Sequence, residues 1–353
     1  MTPGLHQVLA GAAMRDAITN HALVAQEVIR KAGFASELFV DDRHISPEVA
    51  ERVHAHYSWS RVAKPDDLAI IHYSIDSPAF GHVLEHAERS AVHYHNVTPA
   101  ELLWRDLPAL AAQCRDGRNH LARLAGRVHA SAADSAFNAQ EMNALGLPPA
   151  EVVGILRNEG AVVQRRPVAR SGPVRILFVG RGVPNKCQHE MIMALGAMAE
   201  SGLDAQLRLV GSWGGSRSYL ERCRRTARTV GIESSVVMLD SLDDTALAAE
   251  YAGADVFLCL SDHEGYCVPL LEAMTAELPI VAFAAGAVPE TLGDAGLLLH
   301  DKSPSIVAEA VAAVLDGALA KRMASGRAAQ AAVHSREATT ARLQAFIRGF
   351  AGC

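Results

Sequence analysis

Residues 174–180, VRILFVG, form an apolar run of the kind found in strands buried on both faces of a sheet. The downstream sequence constrains the fold further. Helically spaced segments at 190–201, 218–230 and 244–252 alternate with the short apolar runs QLRLVG, VVMLD and VFLCLS, and a further helix is expected after Pro269, before PIVAF and GLLLH. This alternation predicts an α/β fold with a parallel sheet covered by helices on both faces. The first half repeats the theme. HQVLAGAAMRDAITNHALVAQEVIRKAG passes through glycine into a helical pattern that stops at Gly33. SELFV, LAIIHYS and SAVHYHNVTP read as strands and PAFGHVLEHAE as a helix. RVHASAADSAFNAQEMNALG reads as strand, loop and helix, capped by Ser135 or Asn138.

A chain of 353 residues suits two domains of roughly 150 to 200 residues each. The polar stretch RNEGAVVQRRPVARSGP, residues 157–173, reads as the linker. The expected organisation is a Rossmann-like domain at 1–165, a second at 166–335, and a C-terminal helical segment at 336–353. That segment, containing TTARLQAFIRGF, could pack on either domain and is assigned to the N-terminal one. Two such domains facing each other across a cleft would place a site at the carboxyl ends of both sets of strands.

Composition narrows the function. Lys and Arg number 33 against 39 Asp and Glu, a net charge of −6, which argues against a general nucleic-acid binder. No run of about 18 apolar residues is present, so no membrane-spanning helix is expected. The opening MTPGLHQVLAGAAMRDAITNH lacks the basic stretch, apolar core and cleavage pattern of a signal peptide. The six cysteines form no C-x-x-C pair, so neither a disulfide framework nor a zinc knuckle is indicated. A reducing, cytoplasmic setting is the expectation.

The residues just past the strands carry the chemistry. Gly180 and Arg181, then Lys186, come just past VRILFV, where anions bind in parallel sheets. Arg181 can offer a fork of donors and Lys186 a mobile point charge to a diphosphate, although a solvated loop with two surface charges has the same sequence. Gly211 ends the next strand and either admits a ligand close to backbone or serves a turn. Neither G-x-G-x-x-G nor G-x-x-x-x-G-K-[ST] follows the first strand of either half, which leaves out the dinucleotide fingerprint and the P-loop. After VFLCLSDH comes EGYCVPLLE. Glu264 and Gly265 fall in the loop, Pro269 in the first helical turn, and Glu272 about one turn in. Backbone donors from Gly265 through Tyr266 and Cys267 to Val268 can cradle an anion at the helix start. The two acids can grip ligand hydroxyls, or one can cap the helix while the other faces solvent.

EGYCVPLLE resembles the E-x7-E motif of the retaining glycosyltransferases of GT-B architecture, family 4 (glycosyl transferases group 1). VRILFVGRGVPNKCQHE resembles that family's first C-domain strand and phosphate loop, and YAGADVFLCLSDHEGYCVPLLEAMTAELPIVAFAAGAVPETLGDAGLLL its donor-binding core. The resemblance is strong over 174–300 and looser before. It implies that Arg181 and Lys186 bind the donor diphosphate and stabilise the leaving nucleotide, that Glu264 faces the transferred sugar and that Glu272 binds the ribose. Gly11, in a Gly-Ala-Ala loop before Asp16, loosely matches the acceptor-side glycine loop. YHNVTP resembles the place of a histidine that reaches the donor sugar, which makes His95 the candidate, with His72 a competitor; Ser135 and Asn138 match positions that line the cleft. His95, Glu264, Arg181 and Lys186 are thus the expected catalytic set. Cys267 reads as a filler rather than a nucleophile, because no histidine partner is evident.

The implied reaction moves a hexose from a nucleotide diphosphate sugar, with a lean toward GDP-mannose, to a hydroxyl of a glycan or lipid-linked acceptor. The configuration is retained, and the setting is bacterial polysaccharide or lipopolysaccharide assembly. No cofactor is implied, and the absence of a D-x-D triplet leaves no metal required. No long basic amphipathic helix is evident, so bilayer contact would be peripheral, at the inner face of the cytoplasmic membrane. Two acids on one element fit ligand binding better than the opposed carboxylates of a glycosidase. An inactive nucleotide-sugar-binding scaffold and a GT-B epimerase are the competing classes.

Overall fold

The computed structural model describes residues 3–14, 16–157 and 172–352. The stretch read as the linker, 157–173, lies for the most part outside the described residues. The chain divides into two compact units. One comprises Met1–Val97, Ala112–Asn158 and His334–Cys353, and the other Thr98–Ala111 and Glu159–Val333. The expected organisation keeps 98–111 with the rest of the first half, whereas the contacts group it with the second unit.

The first unit is built on β1 (Leu5–Leu9), β2 (Leu38–Val40), β3 (His54–Ala55), β4 (Leu68–Tyr73), β5 (Arg89–Tyr94), β6 (Ala130–Ala133) and β7 (Ala150–Val152). Its helices are α1 (Ala17–Lys31), α2 (Trp59–Val62), α3 (Pro78–Leu84), α4 (Pro108–Ala122) and α5 (Ala136–Ala144), the division between units falling within α4. The sheet is parallel throughout, in the order β3-β2-β1-β4-β5-β6-β7. Local signals set the helix ends. The Asp16 carboxylate accepts the Thr19 N–H at the start of α1, and Gly33 takes up φ +94 just past its end. Ser135 caps α5 by accepting the Asn138 N–H, so of the two candidate caps it is the one used.

The second unit contains β8 (Val174–Val179), α6 (Gln188–Glu200), β9 (Ala205–Val210), α7 (Arg217–Thr229), β10 (Val236–Leu239), α8 (Asp244–Gly253) and β11 (Val256–Cys259). It continues with α9 (Val268–Thr275), β12 (Ile280–Phe283), α10 (Val288–Leu292), β13 (Leu297–Leu299), α11 (Pro304–Leu315) and α12 (Gly317–Val333). Its strands are again all parallel, ordered β10-β9-β8-β11-β12-β13. Both sheets are Rossmann-like: the first strand lies inside, and the order reverses between β1 and β4 and between β8 and β11. Ligands of such sheets bind beyond the carboxyl ends of the strands at that reversal.

The last helix, α13 (Arg336–Ala351), belongs to the first unit. Leu343, Phe346, Ile347 and Phe350 join Leu5, Val24, Ile29 and Leu68 in one buried cluster. Each such side chain contributes on the order of 1.5–3 kcal/mol on burial. Phe346→Ala should therefore lower the unfolding free energy of the first unit by about 3–5 kcal/mol in urea titrations. A change below about 1 kcal/mol would contradict the packing.

Candidate active site

The β8 and β11 loops of the second unit build a polar site. After β8 the chain turns through Pro184–Lys186, and Cys187 adopts the left-handed conformation, φ +54, to start α6. After β11 it runs through Glu264 to Cys267, again left-handed at φ +66, which starts α9. A non-glycine residue in this conformation costs about 1–2 kcal/mol, and here the cost falls twice at the carboxyl ends of neighbouring strands. Neither cysteine side chain caps its helix. The Asp262 N–H donates to the Asn185 carbonyl at 2.8 Å, which ties the two loops together.

Lys186 and Glu264 meet between these loops. The ammonium donates to both carboxylate oxygens at 2.7 Å. The Glu264 side chain is 8% exposed and that of Lys186 22%. Burial works against the Lys186 charge, but the Glu264 carboxylate outweighs it and holds the pKa above the usual lysine range. Behind the pair, the Ala287 N–H donates to the Glu264 carbonyl at 2.9 Å. This approach requires Gly286, at φ +56, because a Cβ there would collide with Glu264 backbone.

The other expected donor residues fall around this pair. Gly180 continues the strand ladder, donating to the Val210 carbonyl at 2.9 Å, and Arg181 comes next, exposed. Gly211 has φ +148, and a Cβ would run into the Gly180 carbonyl, so close backbone packing is reason enough for glycine there. Gly265 is partly exposed, Tyr266 is buried with its carbonyl accepting from Thr291 Oγ1 at 2.7 Å, and Val268 opens α9. Glu272 lies one turn into α9, where its carboxylate accepts the Tyr251 hydroxyl at 2.5 Å. Cys267 is buried with its sulfur 3.9 Å from that of Cys259, and this contact together with burial holds its thiol well above the usual range. A protonated, buried thiol fits the filler role.

Sequence reasoning missed Lys302, three residues past β13. It donates to Glu190 at 2.7 Å and to Asp262, and its ammonium lies 3.4 Å from the Cys187 sulfur. A basic residue soon after a parallel strand was the available signal, the same one that marked Arg181.

His95 and Gly11 lie in the first unit. The His95 ring, 1% exposed, bonds to His72 at 2.8 Å and to Asp134 at 3.0 Å, so in this structure both ring nitrogens face protein partners. Burial would raise the Asp134 pKa, but His95 and His93 outweigh it and keep the carboxylate ionised. Ser135 and Asn138 are buried, Asn138 accepting from the Asn96 side chain at 2.8 Å. Gly11, Ala13 and Asp16 line a cavity of about 710 Å³ at the β1–β4 reversal, with Arg43, Asp76 and His120.

Lys186→Ala strands a nearly buried carboxylate. It should cost about 2–3 kcal/mol of unfolding free energy, less than a fully buried pair because Lys186 is one-fifth exposed. A loss below about 0.5 kcal/mol in denaturant titrations would show a solvent-screened pair.

Residues 163–331 match the glycosyl transferases group 1 family. The D-inositol 3-phosphate glycosyltransferase of Corynebacterium glutamicum (strain R) is 30% identical over 145 residues, 40% of this chain and 35% of the relative. The GDP-mannose-dependent alpha-(1-6)-phosphatidylinositol monomannoside mannosyltransferase of Mycobacterium tuberculosis (strain H37Rv) is 33% identical over 186 residues, 49% of this chain and 47% of the relative. The matched part thus spans less than half the length of either relative. Among solved structures, sucrose-phosphate synthase from Thermosynechococcus elongatus superposes with a TM-score of 0.77 at 16% identity, covering 99% of this chain and 100% of that one. Anabaena HepE in complex with UDP-glucose gives 0.74 at 14% identity, covering 99% and 100%. These likenesses show the fold over the whole chain. Both units are thus Rossmann-like domains of the GT-B fold, and residues 163–331, just under half of the chain, match the glycosyl transferases group 1 family.

Proposed function

We propose that this chain is a retaining glycosyltransferase that moves a hexose from a nucleotide diphosphate sugar to a hydroxyl of a glycan or lipid-linked acceptor. The observation that carries this is the Lys186–Glu264 pair, set between two helix starts at the strand-order reversal, with Glu272 one turn along α9. A departing diphosphate gathers negative charge. Lys186, Arg181 and the amides at the head of α9 are the groups suited to stabilise it there. Glu264 holds Lys186 until phosphate arrives and then has an oxygen to offer the sugar hydroxyls. Glu272, already an acceptor toward Tyr251, is placed for a ribose diol. The attacking hydroxyl passes its proton to the leaving phosphate oxygen, and attack from the leaving group's own face retains configuration. His95 enters as a positioning residue: with both ring nitrogens engaged, it fixes the end of β5, where Asn96 turns with φ +79.

The acid-rich cavity behind Gly11 suits a polyhydroxylated acceptor. The GDP-mannose relative supports mannose as the sugar. Bacterial polysaccharide or lipopolysaccharide assembly is the setting we propose. Among the described residues no helix is long and apolar enough to cross a membrane. A lipid-linked acceptor is proposed to be met peripherally, at the cytoplasmic face.

A panel of nucleotide sugars, read out as nucleotide release with and without glycan acceptors, tests the reading. Acceptor-dependent release from one donor is expected. Binding without turnover would indicate a scaffold, and turnover without acceptor an epimerase. Glu272→Ala should weaken donor binding about tenfold to a hundredfold, the effect of losing hydrogen bonds to a charged acceptor. Unchanged affinity would remove its ribose role.

A further inference from the structure

Four histidines of the first unit converge on one another. His72 in β4 and His93 in β5 are register partners, His95 comes just after β5, and His21 belongs to α1. All are at most 8% exposed, and their rings lie 4.4 to 5.7 Å apart. One ring nitrogen from each lies within 4.8 Å of the others.

Hydrogen bonds around the cluster assign its protons. Gln7 Nε2 donates to the Ala22 carbonyl at 2.9 Å, which fixes the amide and turns Gln7 Oε1 toward His72 Nε2, also at 2.9 Å. An amide oxygen only accepts, so His72 Nε2 carries the proton and Nδ1 of the neutral ring is a lone pair. The Asp134 carboxylate accepts from His93 Nε2 at 2.9 Å and from His95 Nδ1 at 3.0 Å. His95 Nε2 is therefore a lone pair in its neutral ring as well. These two lone pairs, His72 Nδ1 and His95 Nε2, face each other at 2.8 Å. They repel unless a positive centre joins them, and that centre is either an extra proton or a metal ion.

Three features favour the metal. His72, His93 and His95 each have one nitrogen tied to an oxygen acceptor, the way proteins orient histidine ligands. Asp134 supplies a buried negative charge to offset a cation. His21 accepts the Leu156 N–H at Nδ1, at 2.9 Å, so its Nε2 carries a proton, and that buried N–H has no partner. Left unsatisfied, a buried donor is destabilising, and a metal-bound water or hydroxide would accept it.

We infer that His72, His93 and His95 form a binding site for a divalent transition metal, zinc being the ion best matched to an imidazole set with a solvent ligand. On binding, the ion replaces the proton otherwise shared by His72 and His95, and that proton is released to solvent. The site would pin β4 to β5 at their carboxyl ends, independently of any nucleotide-sugar chemistry.

The test uses the full chain without a polyhistidine tag, incubated with zinc alone, dialysed, and assayed by elemental analysis and X-ray absorption. One zinc per chain is expected, with nitrogen or oxygen at about 2.0–2.1 Å and no sulfur at about 2.3 Å. His72→Gln should abolish retention, and Asp134→Asn should weaken it about tenfold to a hundredfold. Fewer than about 0.1 zinc per chain in the folded wild-type protein would overturn the inference and make the positive centre a proton. So would a sulfur shell, which would place the ion at Cys259 and Cys267.

Discussion

A parallel strand cannot be joined directly to its neighbour. The chain must first return to the other end of the sheet, and here both sheets are parallel in every pairing. All the loops that leave the strands of a unit therefore gather along one edge. At the reversal of strand order, two of those loops diverge and leave a crevice between them. Lys186 and Glu264 reach each other across 78 positions of sequence only because β8 and β11 are neighbours at that reversal. The same constraint brings Gly11, after β1, and Asp76, after β4, to one cavity.

Upon this scaffold the second unit adds strain and charge in the same place. Cys187 and Cys267 turn left-handed at the heads of α6 and α9, so each helix starts immediately beyond its loop. The Lys186 ammonium stays charged because Glu264 is close enough to outweigh burial. Lys302 is held in the same way by Asp262 and Glu190 one layer behind. The result is a set of partly buried, oriented charges, and fixed charges held in place act more strongly on a ligand's charge than mobile ones.

Much of this was legible in the sequence, for identifiable reasons. Long apolar runs such as LAIIHY and VRILFV mark strands because burial on both faces leaves no room for alternation. β3 and β7, of two and three residues at sheet edges, are too short to show a period. The membership of 98–111 depends on contacts such as Arg222 with Asp106 at 2.9 Å, which no local pattern announces. Lys186, Glu264 and Glu272 stood out through their order and spacing, but the ion pair between the first two did not. Gly286 serves Glu264 through backbone proximity, and glycine has no side chain to advertise that. The four histidines, spread from 21 to 95, form no single local motif, since the β4–β5 register, the residue past β5 and the packing of α1 bring them together.

Amide hydrogen exchange on the whole chain, with and without a nucleotide diphosphate, bears most directly on the central claim that the β8 and β11 loops hold the donor. Slowed exchange at residues 181–188 and 264–272 on ligand addition is the predicted result. Unchanged exchange in both segments, with protection confined elsewhere, would contradict it.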